Sequence, residues 1–198
     1  MRLGLSWLVP FALALPLFSA PPTDLERQRL VAHFTMTESW LADEASGLSA
    51  EQLHFRPTPT SWNVLDCVEH LVVAEKQYWA MFQKTMAARP SRKESPSEDI
   101  DRLWYGIDRT ERTKTVDSEV PKGRFQELAP ALAEFEALRA TMLNYIRTSQ
   151  EDLRHHLVTG WGRDAYQWLL MISAHSQRHI LQIREIEHDP GFCAVSRT

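Results

Sequence analysis

Three histidines carry the chemistry that this sequence suggests. His70 lies in the run Trp62-Asn63-x-x-Asp66-x-x-x-His70-Leu71, and His175 and His179 lie in Ser173-Ala-His-Ser-Gln-Arg-His-Ile-Leu-Gln182. A spacing of four on a helix puts two side chains on one face, one turn apart. That face is the apolar one: Trp168, Ile172, His175, Ser176, His179, Ile183 and Ile186 follow the period of a buried stripe. Two imidazoles on a core-facing surface need partners, and a divalent metal uses both. Core hydrogen bonds are the commoner answer for an isolated pair. His70 changes the balance, because Cys67, Ala74 and Tyr78 at helical spacing around it suit an interior face. Three neutral imidazoles suit zinc, nickel, iron or manganese, and leave open positions for water or substrate.

These side chains must be placed by long helices. Thr23-Asp-Leu-Glu26 forms a capping box that starts a first helix running to about Ala45, where Ser46-Gly47 stops it. A connection with Pro57 and Pro59 follows, with a short turn at 49–53. Asn63 caps a second long helix, with Asp66 near its positive end, lasting to about Ala88. Residues 89–99 are polar and rich in Pro and Ser, an exposed loop. A short helical stretch is expected over 100–110, then an irregular crossing to Arg124 through Pro121 and Gly123. The third long helix spans about 128–149 on a stripe of Leu132, Phe135, Leu138, Met142 and Tyr145, and the fourth about 164–187, ending before Asp189-Pro190-Gly191. Strand-like alternation is nearly absent and no internal repeat is visible. The economical fold is all-α, a four-helix bundle with a longer crossover between helices 2 and 3.

Other motifs are weaker. Glu51-x-x-His54 and Glu185-x-x-His188 have the spacing of a carboxylate-bridged di-iron site, but one lies in a connection and the other at a fraying helix end, so both read as solvated surface. His155 and His156 fall in a loop before the fourth helix and are expected to be exposed. His33 reads as a surface or hydrogen-bonded residue, with support of the site from the first helix as the alternative. Cys67 reads as a small buried residue, with a bridge to Cys193 or a place near the metal as alternatives. No nucleophile elbow, Walker loop, dinucleotide fingerprint or C-x-x-C is present. The tryptophans read as core and pocket wall.

Composition bounds the rest. The chain has 198 residues and a formal charge of −4. Residues 1–20 hold one charge, Arg2, then an uncharged run from Leu3 to Phe18 and a small-residue exit at Ser19-Ala20. That layout is a secretory signal peptide, leaving residues 21–198 as one domain and implying a periplasmic or secreted protein. An uncleaved N-terminal membrane anchor is the alternative. The run is short for a membrane span and is interrupted by Pro10 and Pro16, so no stable span is expected in the mature chain. The mild acidity, without a basic stripe, argues against nucleic-acid binding.

The W-N-x-x-D-x-x-x-H-L run, the His175-x-x-Arg178-His179-x-x-Gln182-Ile183 stretch, and the tail Asp189-Pro190-Gly191-Phe192 together resemble the DinB-like (DNA-damage-inducible) superfamily. Pro121-x-Gly123-Arg124-Phe125 and Arg139 resemble its midsection, so the likeness covers roughly residues 25–192. The resemblance implies a four-helix bundle whose metal triad takes one histidine from the second helix and a pair from the last: here His70, His175 and His179. Asn63 and Asp66 stand where the family more often has Ser or Thr and then Glu, and both preserve capping chemistry. Several relatives resemble thiol S-transferases or isomerases that use glutathione, mycothiol or bacillithiol, and relatives often pair as homodimers. Those thiols are mainly cytoplasmic, so an exported member points to another substrate.

The sequence therefore supports a metal-dependent enzyme that transfers a thiol to a small molecule or hydrolyses one, the ion lowering the pKa of the attacking group. Glu69, Gln182 and Arg178 are candidates to support the ligands, and no general base is assigned. A non-enzymatic metal- or ligand-binding bundle is the second reading, and three core histidines without metal the third.

Overall fold

In a computed structural model, residues 20–91, 93–111 and 114–195 are described; the expected signal peptide falls, apart from Ala20, outside the described residues. Four long helices form the bundle: α1 (Asp24–Ala45), α3 (Val64–Met86), α5 (Leu128–Thr148) and α6 (Ala165–Glu187). Each of α1 and α3 packs on both α5 and α6, so α1 sits diagonally from α3 and α5 from α6. The short α2 (Ala50–His54) lies between the first two, and α4 (Asp99–Ile107) and a 3-10 turn (Asp117–Glu119) fill the long crossover. Among the described residues, no helix is long and apolar enough to cross a membrane.

Helix starts follow their caps. Reciprocal capping boxes form at Thr23/Glu26, Ser49/Gln52, Asn63/Asp66 and Asp164/Gln167, each satisfying two backbone donors that a helix end leaves open. The Asn63/Asp66 box shows that these two residues replace Ser or Thr and Glu without loss of function at the cap.

Three features differ from expectation. A small antiparallel hairpin, β1 (Leu157–Val158) with β2 (Arg163–Asp164), precedes α6. Gly160 and Gly162 at its tip adopt positive φ, which makes so tight a reversal possible. The fourth helix ends before Asp189 as expected, but a further short helix, α7 (Pro190–Val195), then begins at Pro190, since a proline at the first helical position loses no hydrogen bond. Its Phe192 meets Phe55 edge to face at 5.7 Å. His156 is buried rather than exposed, its Nδ1 3.1 Å from the Thr85 carbonyl, because the hairpin folds it against the end of α3.

The core is two apolar clusters separated by a polar layer. One cluster gathers Leu30, Phe34, Trp79, Phe82, Met142 and Trp168, and the other Leu41, Val68, Leu71, Phe135, Ile180 and Ile183. Between them every bundle helix places a buried polar residue: Thr37, Glu75, Arg139, and Ser173 with Ser176. The Arg139 guanidinium donates to Glu75 (2.8 and 2.5 Å), Ser176 (2.6 Å) and Thr37 (3.3 Å), while Thr37 meets Ser173 at 2.9 Å. The rings of Phe34 and Phe135 lie 4.6 and 4.9 Å from the guanidinium carbon, a favourable cation–π setting.

Candidate metal centre

Beside that layer, α3 presents His70 and α6 presents His175 and His179, all buried. The Nε2 atom of His175 lies 3.2 Å from that of His70 and 3.1 Å from that of His179, and one nitrogen from each ring falls within 4.8 Å of the others. In a tetrahedral zinc site with bonds of about 2.0–2.1 Å, neighbouring ligand nitrogens stand about 3.3 Å apart. The spacing here fits that shape. The three sequence-predicted residues are thus brought together as a histidine-based metal-binding site.

The outer nitrogens fix the tautomers. The Nδ1 of His70 is 2.8 Å from the Glu119 backbone carbonyl, and the Nδ1 of His179 is 3.0 Å from the Gln182 amide oxygen. Both oxygens can only accept, so each Nδ1 carries the proton and each Nε2 turns a lone pair inward. His175 has one Nε2 position to offer and can donate to at most one neighbour, while its Nδ1 is buried with no hydrogen-bond partner among the described residues. Without a cation, the cluster keeps buried acceptors facing one another at a desolvation cost. Protonation does not resolve this. Burial, reinforced by the neighbouring imidazoles, holds His175 and His179 well below the usual histidine range, and burial lowers His70. Neutral imidazoles are the form a metal binds.

The crossover is tied to this site through Glu69, next to His70. Its carboxylate accepts from the backbone N–H groups of Lys122 and Arg124, both at 2.7 Å. Gly123, with φ of +72°, turns the chain so that both amides reach one carboxylate. That anchor holds the segment whose Glu119 carbonyl orients His70. Arg178 donates to the carbonyls of Tyr105, Asp108 and Glu111, and so pins the end of α4 over α6. Gly106 allows the close approach: a Cβ there would lie 2.9 Å from the Ala174 carbonyl oxygen. Of the three supporting residues expected, Gln182 touches a triad histidine, while Glu69 and Arg178 position the crossover.

Aromatic rings wall the triad. Trp62 stacks on His179 at 5.9 Å and tilts over His70 at 4.9 Å; Tyr78 and Tyr105 stand 5.4 and 6.5 Å from His175. The Tyr78 hydroxyl donates to the Glu119 carboxylate at 3.2 Å. Burial raises Glu119 above the ordinary carboxylate range. Sequence reading missed Glu119, since it lies in a turn with no motif.

The remaining candidates separate from the site. Cys67 is a buried thiol in the apolar cluster, pushed upward in pKa by burial, and is not bridged to Cys193. His33 meets Ser173 at 2.6 Å and belongs to the end of the polar layer. Glu51 and His54 are exposed on α2, and Glu185 and His188 are exposed at the end of α6, so neither pair forms a di-iron half-site. A large cavity of about 1040 Å³ lies along α1 and α4, lined by His33, Ile100, Leu103 and Leu170 among others. It contains none of the triad and is not where three-nitrogen chemistry would occur.

Comparison with known proteins agrees with this fold. The chain is 26% identical over 155 residues to the uncharacterised protein YuaE of Bacillus subtilis, covering 76% of this chain and 91% of YuaE. Its fold is similar to that of YfiT from Bacillus subtilis, described as a probable metal-dependent hydrolase with an unusual four-helix bundle topology. The TM-score is 0.57 at 16% identity, covering 86% of this chain and 90% of YfiT. The model of the DinB superfamily matches residues 27–183, and the chain belongs to that superfamily.

Proposed function

We propose that this protein is a metal-dependent enzyme acting on a small molecule, with His70, His175 and His179 as the ligands of one divalent ion. The observation that carries the reading is the convergence of three Nε2 atoms whose outer nitrogens are, for His70 and His179, already committed to acceptors. Three neutral ligands leave a bound ion its full charge and an open position, from which it lowers the pKa of a water or thiol. Hydrolysis or thiol transfer are the reactions this favours, and the description of YfiT supports the first.

The chain's own groups do the remaining work. Trp62, Tyr78 and Tyr105 exclude bulk water from the triad and strengthen electrostatic interactions there. Tyr78 and Glu119, hydrogen-bonded beside His175, are the groups placed to pass a proton at the Tyr78 hydroxyl oxygen. Residues 1–20 direct export, which places the reaction outside the cytoplasmic thiol pool; the N-terminal residue of protein recovered from the periplasm tests this.

The activity is tested by screening metal-loaded protein against esters, amides and thiol–electrophile pairs. Turnover that disappears with chelator and in His175→Ala supports the reading. Inactivity across the whole panel with metal bound, together with loss of stability in His175→Ala, contradicts it and indicates a structural ion.

A further inference from the structure

Arg163 and Arg102 are two cations without a close carboxylate partner among the described residues, on the side of the tyrosines that flank His175. The other enclosed arginines are committed. Arg154 is held by Glu26, Asp99 and Asp164; Arg139 pairs with Glu75 and Arg109 with Glu185; Arg178 is taken up by three carbonyls. Arg163, half-buried on β2, lies over the Trp161 ring at 5.4 Å and has no carboxylate partner among the described residues. Arg102 is 13% exposed at its side chain, approaches Asp101 only at 3.7 Å, and keeps a buried Nε with no hydrogen-bond partner among the described residues. Burial, then the charge of Arg102, makes the Arg163 cation less favourable than a free one. A fold pays for such an arrangement only where something else supplies the negative charge.

Their position ties them to the tyrosines beside the triad. Arg102 and Tyr105 are three residues apart on α4 and so share a face. Tyr105 and Tyr78 are the rings beside His175, and both phenols feel the charge of Arg163. A run of ring contacts leads from the hairpin inward: Trp161 to Trp168 at 5.3 Å, Trp168 to Tyr78 at 5.6 Å, Tyr78 to His175 at 5.4 Å. Glu119 is the acidic group facing the same space. Its hydrogen bond comes from Tyr78, and no ion pair joins it to either arginine among the described residues.

We propose that Arg163 and Arg102 bind an oxyanion, a carboxylate or phosphate, on the substrate, and thereby orient the rest of that molecule toward the triad. This rests on the metal-dependent reading for its catalytic meaning, but the anion site itself does not need the ion. Arginine suits the role because its fork of donors matches either group in two parallel hydrogen bonds. The substrate class is then a small anion with an apolar or aromatic body seated on Trp161 and the tyrosines.

The test titrates the full chain, freed of metal by chelator at low salt, with benzoate, phenyl phosphate and uncharged benzamide, reading tryptophan fluorescence. The expected result is saturable binding of one or both anions, at least about tenfold tighter than benzamide, with the tighter anion naming the group. Arg163→Gln should weaken the anion about tenfold and leave benzamide unchanged, while Arg163→Lys keeps part of the affinity. Arg102→Gln is the second variant should the first fail to fold. Equal binding of benzoate, phenyl phosphate and benzamide, no saturable signal from any of them, or unchanged anion affinity in the Gln variants overturns the proposal. Metal content of the reloaded samples is measured separately: absence of metal there defeats the catalytic reading and leaves the anion result standing.

Discussion

The bundle buries two neighbouring polar clusters, one around Arg139 and one around His175, and only the first closes its own hydrogen bonds. Arg139 finds Glu75, Ser176 and Thr37 within the protein, and each bundle helix contributes to the layer. At the triad, three imidazoles turn acceptors toward a common point, and the Nδ1 of His175 finds no hydrogen-bond partner among the described residues. A closed network fixes how helices pair, because any slip of register breaks a buried charge pair. An open one has room for a ligand. Burial and polarity alone would not distinguish the two clusters; the direction of the donors and acceptors does.

The largest effect should come from the closed cluster. Glu75→Ala strands Arg139 among apolar rings and should cost about 3–5 kcal/mol in denaturant unfolding. Replacing both residues, Glu75→Leu with Arg139→Met, should restore most of that loss. If Glu75→Ala loses less than about 1 kcal/mol, the layer is not what registers the helices.

A second, smaller effect reaches the open cluster through the crossover. Glu69→Ala removes the carboxylate that holds the Lys122 and Arg124 amides, and so frees the segment that aims Glu119 at His70. Metal affinity should fall about ten- to hundredfold in competition with a chromophoric chelator, as expected when a group behind a ligand is lost. Unchanged affinity would show that the triad is aligned without its carbonyl partner.

The smallest effect concerns pH at the edge of the closed cluster. Burial, then the charge of Arg139, lowers the pKa of His33, so it stays neutral in the folded chain where an unfolded one takes up a proton. Its contribution to stability is present above about pH 6.5 and is lost as pH falls through the lowered folded value. His33→Gln should flatten part of the acid limb of the stability–pH curve. An identical curve would place His33 outside the coupled layer.

How much of this was legible in the sequence follows from which groups leave a local mark. Thr23, Asn63 and Asp164 announce helix starts because capping uses side chains a few residues apart. The triad was legible because His175 and His179 share a helix face and His70 follows a capped start. Of the closed cluster only Arg139 was singled out, by its resemblance to the family's midsection, although it falls between Phe135 and Met142 in an apolar stripe and Glu75 falls between Leu71 and Trp79. Which charge met which depends on the diagonal packing of the helices. The Glu119 carbonyl left no mark at all, since a backbone acceptor 49 residues from His70 has no sequence signature. Arg163 was hidden by a hairpin of two-residue strands, too short to alternate.

The central claim is that the open cluster binds a metal. Purified full-length protein, reloaded separately with zinc, nickel, iron and manganese and then desalted, should retain about one ion per chain with at least one of them, as three imidazoles allow. His175→Ala should retain none, and chelator should lower the melting temperature of the parent but not of the variant. If the parent retains no metal after every loading and melts identically with and without chelator, the three histidines are core residues and the account fails.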